Sequence, residues 1–355
     1  MKADPATCRT ERNDRPLRYR GFGLRIESDV PLPGLVEDCC ADPADARVWL
    51  ASKPPWVDYA LTLPRSPYLR ADFGASRAVH VLGVTGAEFF CVTYADGTEF
   101  VVSCDGGLVF GQWTPPMTLE DTLTYVMGPI LGIVLRRLDW TCVHASAVVW
   151  NGRSVMFVGP AGAGKSTTAA AAISRHGARM LTDDIVALRR SGDGYHVEPG
   201  QSWVRLWKES VRLLFNNDAT LPLLTPNWDK RYLDATSGLS PAAPLSLICF
   251  LGGLASIVPD ASALMPVSPR DALVILAANT YCWPFVHAEG RRAEFRTLSD
   301  LAQRIPAVVV ARDRAARRLD ALLDAVRDSL ASASLARRAD ERRFSSVRHL
   351  ATGPV

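Results

Sequence analysis

Eight consecutive residues carry the most specific chemistry in the chain. Gly159-Pro160-Ala161-Gly162-Ala163-Gly164-Lys165-Ser166 matches G-x-x-x-x-G-K-[ST] in full. A Gly-rich turn of this kind offers successive backbone N–H groups to phosphates. An apolar run ends at Val158 and a helix-forming run, Ser166–Arg175, begins just after the loop. The positive end of that helix would therefore face the same anion. Lys165 is expected to reach the β- and γ-phosphates and the Ser166 hydroxyl to serve Mg²⁺, with Gly159, Ala161, Gly162, Ala163, Gly164 and Thr167 completing the cradle. ATP and Mg²⁺ are the cofactors this implies. Lys is a rare choice here, 5 residues against 35 Arg, which makes Lys165 stand out.

Downstream, Gly177 is placed to stop the loop's helix, and a short strand, Arg179–Leu181, returns into Thr182-Asp183-Asp184. If this strand lies beside the P-loop strand, its carboxyl end opens onto the same crevice. Two adjacent carboxylates there suit two tasks: holding Mg²⁺, and accepting a proton from an attacking hydroxyl. The residue types do not say which of Asp183 and Asp184 does which. Upstream, Cys142–Trp150 and Ser154–Val158 flank Asn151-Gly152, the signature of a two-residue hairpin turn. Counting back from Trp150 opposite Arg153 puts His144 opposite Gly159, as a phosphate contact or the orienter of an aspartate. Lys230 and Arg231, in a Pro-rich stretch, could neutralise charge on a transferred phosphoryl group or simply be solvated. Trp203, Trp207, Trp228 and Trp283 could line a substrate groove, although core packing is the blander role for them.

The elements that must position these groups can be read from texture. Residues 1–16 form a charged arm, and 17–115 a β-rich N-terminal domain of short antiparallel strands broken by Gly, Asp and Pro. Residues 116–139 read as a linking helix that starts at a Thr118/Asp121 capping box and kinks at Pro129. The phosphate-loop domain spans 140–330 and closes with an amphipathic helix, Arg314–Leu330; an Arg-rich tail, 331–355, follows. A net charge of +3 lacks the concentrated basic excess of a nucleic-acid binder. Eight scattered cysteines with no C-x-x-C pair suggest neither a zinc site nor a disulfide framework. No apolar run reaches the ~20 residues of a membrane span. A cytoplasmic protein with no membrane partner is expected.

His144-Ala-Ser, the loop at Gly159–Ser166 and Leu181-Thr-Asp183-Asp184 together resemble the HPr serine kinase/phosphorylase family. That family shares its P-loop core with the ATP-dependent phosphoenolpyruvate carboxykinases. The resemblance implies an α/β fold: a P-loop kinase core of that class behind an N-terminal β-rich domain. It also implies that His144 lies near the phosphates, that Ser166 and Asp183 serve Mg²⁺, and that Asp184 or Asp183 activates a serine hydroxyl. Thr167 stands where the family carries an acid. The stretches GLRIESDVPLPGL and VRLWKES look more like the related kinases of lasso-peptide biosynthesis, which act on a precursor peptide.

The expected function is Mg-ATP-dependent transfer of a γ-phosphoryl group to a serine of a peptide or small protein, as in a lasso-peptide precursor. The alternatives are a P-loop ATPase without an acceptor, a kinase of a small-molecule hydroxyl and, more remotely, a carboxykinase. A homo-oligomer is compatible with the sequence.

Overall fold

The computed structural model describes residues 16–69, 77–84, 86–217, 220–252, 264–310 and 319–330. Apart from Pro16, the arm expected at the N-terminus lies outside the described residues. So do the Arg-rich tail and the first part of the closing helix. Within the described range the fold is mixed α/β.

Gly, Asp and Pro punctuate the first third into strands β1 (Leu17–Gly21), β2 (Leu24–Ser28), β3 (Val36–Glu37) and β4 (Ala46–Trp49), then helix α1 (Pro55–Thr62). Strands β5 (Arg65–Leu69), β6 (Arg77–Leu82), β7 (Phe89–Tyr94), β8 (Glu99–Ser103) and β9 (Leu108–Gln112) follow. They make one nine-stranded sheet in the order β3-β1-β2-β4-β9-β8-β7-β6-β5. The sheet is not purely antiparallel, as the texture suggested: β2 pairs β4, and β4 pairs β9, in parallel. Strand texture reports existence, whereas parallel neighbours depend on crossovers that bring distant segments together. The expectation also omits α1, whose local signals are Pro55 at its first position and Asp58 in its first turn.

The linking helix is three pieces. Helix α2 (Leu119–Tyr125) starts at the expected capping box, with Asp121 N–H donating to Thr118 Oγ1 at 3.3 Å and Thr118 N–H to Asp121 Oδ2 at 2.9 Å. A π-type turn, Val126–Ile130, precedes α3 (Leu131–Arg137). Gly128, just before Pro129, leaves helical geometry altogether (φ −127°, ψ −106°), because the proline ring disfavours the α conformation of its predecessor. Val126, Met127, Ile130, Leu131 and Val134 are buried in a cluster with Ile26, Phe100 and Val102 of the first sheet and Cys142, Ile185 and Ala187 of the second. The β-rich third and the phosphate-loop region thus share a core.

The second region contains β10 (Thr141–Trp150), β11 (Arg153–Val158), α4 (Lys165–His176), β12 (Arg179–Thr182), β13 (Ile185–Ser191), β14 (Gly194–Val197), β15 (Trp203–Leu206) and α5 (Lys208–Phe215). Then come β16 (Leu223–Thr225), β17 (Trp228–Asp234), β18 (Ala243–Leu251), β19 (Leu264–Pro266), α6 (Pro269–Ala278), α7 (Ala288–Arg304), β20 (Ala307–Val310) and a helix over 319–330. The Pro-rich stretch that carries Lys230 and Arg231 supplies two strands, which with β15 form a three-stranded sheet in the order β15-β17-β16. Helix α7 is polar over its first turns, and only Leu298, Leu301 and Ala302 of it are buried.

Asn151 (φ 50°) and Gly152 (φ 75°) make the hairpin turn between β10 and β11. The register runs as counted, from Trp150 opposite Arg153 to Ala145 opposite Val158. One neighbour differs from expectation. Strand β12 pairs antiparallel with β10, not with the P-loop strand β11, whose free side is taken by β18 in parallel. The two-residue turn obliges β10 to lie against β11, so β12 sits one strand further out. Antiparallel to β10, it still runs in the direction of β11, and both carboxyl ends open on one side.

Candidate functional site

The loop after β11 is shaped by three glycines for two reasons. A Cβ on Gly159 would come 2.4 Å from the Leu251 carbonyl oxygen of neighbouring β18, so no larger residue fits. Gly162 (φ 74°) and Gly164 (φ 95°) adopt left-handed backbone, where a Cβ would meet nothing within 4 Å; conformation, not space, requires glycine there. Helix α4 begins at Lys165 with Ala169 to Ala172 fully buried. Arg175 and His176 complement its negative end, and Gly177 (φ 66°) caps it. The Lys165 side chain folds back into the loop, with Nζ donating to the carbonyls of Gly159 (2.8 Å) and Pro160 (3.1 Å). Burial lowers its pKa, opposed by the charges of Asp184 and Asp183.

Asp184 has left-handed backbone (φ 69°), a conformation that Asp tolerates better than most residues. It separates β12 from β13 and lets two successive carboxylates act on one crevice instead of alternating across a sheet. Asp183, only 2% exposed, accepts hydrogen bonds at Oδ1 from Ser146 Oγ (2.5 Å) and Ser166 Oγ (2.9 Å), and at Oδ2 from the Arg205 backbone N–H (3.2 Å). Burial raises its pKa and the Asp184 charge adds to the rise. Asp184 stands differently. His144 Nε2 lies 3.2 Å from Oδ1, and Tyr281 Oη donates to Oδ2 at 3.1 Å. Burial would raise its pKa, but the His144 contact and the Arg205 charge prevail and hold it well below the usual carboxylate range.

His144 is thus brought to Asp184. Its strand pairs with Ile185, the residue after Asp184, and the β10–β11 ladder ends one residue short of it at Ala145. Thr167, after the loop serine, shares a hydrogen bond with Ser210 of α5 at 2.8 Å. Lys230 and Arg231 are neighbours on β17 and separate: Arg231 donates to the Leu221 carbonyl (2.6 Å), while the Lys230 ammonium sits 4.6 Å from the centre of the Trp207 ring. Burial and the Arg205 charge lower the Lys230 pKa, with the two aspartates pulling the other way. Trp203 and Trp207 lie on β15 and at its end, Trp228 packs edge-on to Tyr125, and the Trp283 side chain lies outside the described residues.

Four residues of the site were not singled out from sequence. Ser146 had a usable signal, since it lies two positions from His144 on the same face of β10. Arg205 has one in its alternation with Trp203 and Trp207. Gly128 and Tyr281 have none: a Cβ on Gly128 would come 3.4 Å from Asp184 Oδ2 and 3.6 Å from both Arg205 Nη1 and the Tyr281 hydroxyl, a meeting of four distant segments.

Ser166 and Asp183 fit a magnesium ion. They present two hard oxygens 2.9 Å apart at the helix start. Among the described residues no cluster of three or more His, Cys, Asp or Glu could hold a metal alone, and Mg²⁺ characteristically rests on one or two carboxylates plus substrate phosphates. Gly162 and Gly164 leave the loop open where phosphates would lie.

No family model matches the chain, and no curated protein does. Among solved structures, the Hpr(Ser) kinase/phosphatase from Coxiella burnetii is a distant match, with a TM-score of 0.33 and 13% identity over 60% of this chain and 99% of that one. The site stands on its own geometry. Among the described residues no helix is long and apolar enough to cross a membrane.

Proposed function

We propose that the chain is a Mg-ATP-dependent kinase with a P-loop core, transferring the γ-phosphoryl group to a serine hydroxyl of a peptide or small protein. The observation that carries this reading is the division of labour between the two aspartates: Asp183 bonded to the loop serine, Asp184 bonded to His144 and Tyr281. A phosphate loop with one carboxylate at its serine and a second, separately oriented carboxylate beside it suits transfer to a hydroxyl. Gly162, Gly164 and the start of α4 hold the phosphates, and Lys165 exchanges its loop carbonyls for phosphate oxygens. Mg²⁺, held by Ser166 and Asp183, supplies charge neutralisation when bound. Asp184 takes the hydroxyl proton; His144 and Tyr281 fix the direction of its lone pairs. Arg205, from the opposite wall, adds positive charge where phosphoryl charge spreads.

Assigning the base to Asp184 follows from Asp183 Oδ1 already receiving two hydroxyls. The substrate is a peptide or small protein, for which a lasso-peptide precursor is a candidate, and the reaction is cytoplasmic. The test is γ-labelled ATP incubated with purified protein and a size-fractionated lysate of its own host. Label is expected in a peptide or small protein, and is expected to vanish with Lys165→Ala. Label released only as free phosphate would replace this reading with an ATPase.

A further inference from the structure

Apart from Arg205, one face of the three-stranded sheet has no role in the scheme above. Along β15, Val204 and Leu206 are buried against the α4 side of the core, whereas Trp203, Arg205 and then Trp207 alternate on the other face. The partner strand β17 matches them: Tyr232 lies opposite Arg205 and stacks on Trp203 at 3.9 Å, and Lys230 meets Trp207. Trp207 is 55% exposed, an unusual place for a large aromatic ring.

Neither cation on this face forms a direct ion pair with a described residue, although both feel the charge of the aspartate pair. Lys230 makes no ion pair with any described residue, and its ammonium rests on the Trp207 ring. The Arg205 guanidinium donates only to neutral groups, Gln201 Oε1 at 2.8 Å and the Thr124 carbonyl at 3.4 Å, and its Nε is buried without a partner. The strip leads directly to the aspartate pair, since the Arg205 backbone N–H is bonded to Asp183. Lys165 already provides the P-loop with its own cation, so the nucleotide phosphates do not account for Lys230.

We propose that the Trp203–Arg205–Trp207–Lys230 face is the acceptor platform and that it takes an extended, acidic stretch of polypeptide flanking the target serine. This rests on the kinase reading above and names its substrate class. Side chains two apart on a strand are spaced as are alternate side chains of an extended peptide laid along it. Carboxylates of the peptide would meet Lys230, and an apolar or planar neighbour would cover Trp207. An exposed indole with a cation on its face is well suited to such dual recognition.

The test uses the full-length protein and two fluorescently labelled serine peptides, identical except that Asp and Glu beside the serine in one are Asn and Gln in the other. Binding is followed by anisotropy without nucleotide, ATP affinity is measured for every variant, and label transfer is measured separately. The acidic peptide is expected to bind about tenfold more tightly than the neutral one, the scale of one well-placed charge pair. Lys230→Ala should erase the preference and Lys230→Arg retain it. Trp207→Ala should weaken both peptides, and ATP affinity should stay unchanged throughout. Equal binding of the two peptides, or an unchanged preference in Lys230→Ala, would overturn the proposal. So would a loss of ATP affinity in place of peptide affinity, which would give the strip to the nucleotide. Tight acidic binding without label transfer would uphold the platform and sink the kinase. Transfer to acceptors regardless of acidity would do the reverse.

Discussion

Glu27 in the nine-stranded sheet and Asp183 at the phosphate loop are both buried carboxylates, and their surroundings are opposite. Glu27 is held between two guanidinium groups, Arg18 at 2.5 Å and Arg47 at 2.8 Å. Burial acts to raise its pKa, and the two arginines more than reverse that, leaving it below the usual range. Asp183 is held by two hydroxyls and one backbone N–H, with another carboxylate next in sequence, and its pKa is raised. The first carboxylate is electrically complete within the fold. The second is well hydrogen-bonded but lacks countercharge, an arrangement that is costly unless a cation joins it. Lys165, 6% exposed and bonded only to carbonyls of its own loop, is the matching unpaired cation. Paired charge in one region is complete within the fold; in the other the opposite charges stand separate.

The sharpest way to break this contrast is to remove the loop cation. Lys165→Ala should lower phosphoryl transfer by about 10³-fold, the scale of losing a preorganised charge-stabilising donor, with no loss of thermal stability. Steady-state label transfer and a thermal melt read the two together. Asp184→Asn comes next. It keeps the size of the side chain but replaces one of the two acceptor oxygens with an NH2 group and removes the charge, so nucleotide should still bind while transfer falls about 10²-fold or more. Full activity in that variant would move the base elsewhere.

Gly128→Val sharpens the contrast from the linking helix, because its side chain would extend into the space between Asp184, Arg205 and Tyr281. A drop in transfer of about tenfold is expected from misplacing Asp184, without a change in ATP affinity. The smallest effect belongs to the completed pair. Glu27→Gln should leave transfer untouched and cost about 1–2 kcal/mol of stability, since both arginines remain partly solvated. The pH dependence has a definite sign. Because the folded pKa of Glu27 lies below its ordinary value of 4.5, its contribution is complete above that value and is lost as pH falls through the folded one. Melts of wild type and Glu27→Gln should therefore converge in acid and separate towards neutrality.

The conformation of the Gly-rich loop was legible from residues alone because its constraints are local. Left-handed glycines, a helix start and a lysine at fixed spacing are properties of eight consecutive positions. The hairpin register was legible for the same reason, since a two-residue turn permits one pairing, and the capping box at Thr118 depends on only four residues. The kink was readable too, once Pro129 is credited with displacing Gly128. What local pattern did not disclose was any meeting of distant segments. Strand β12 beside β10, the parallel pairs of the first sheet, and Gly128 and Tyr281 against Asp184 all depend on crossovers and on which apolar faces find one another. Lys230 and Arg231 illustrate the divide at its finest. They are adjacent, similar in type and equally plausible by sequence, and the alternation of β17 sends one to the aromatic strip and the other to the Leu221 carbonyl. The sequence by itself therefore determined the local geometry of the Gly-rich loop and of the hairpin that enters it. Tertiary structure decided which carboxylate receives which partner, because that assignment is made by long-range packing and not by spacing along the chain.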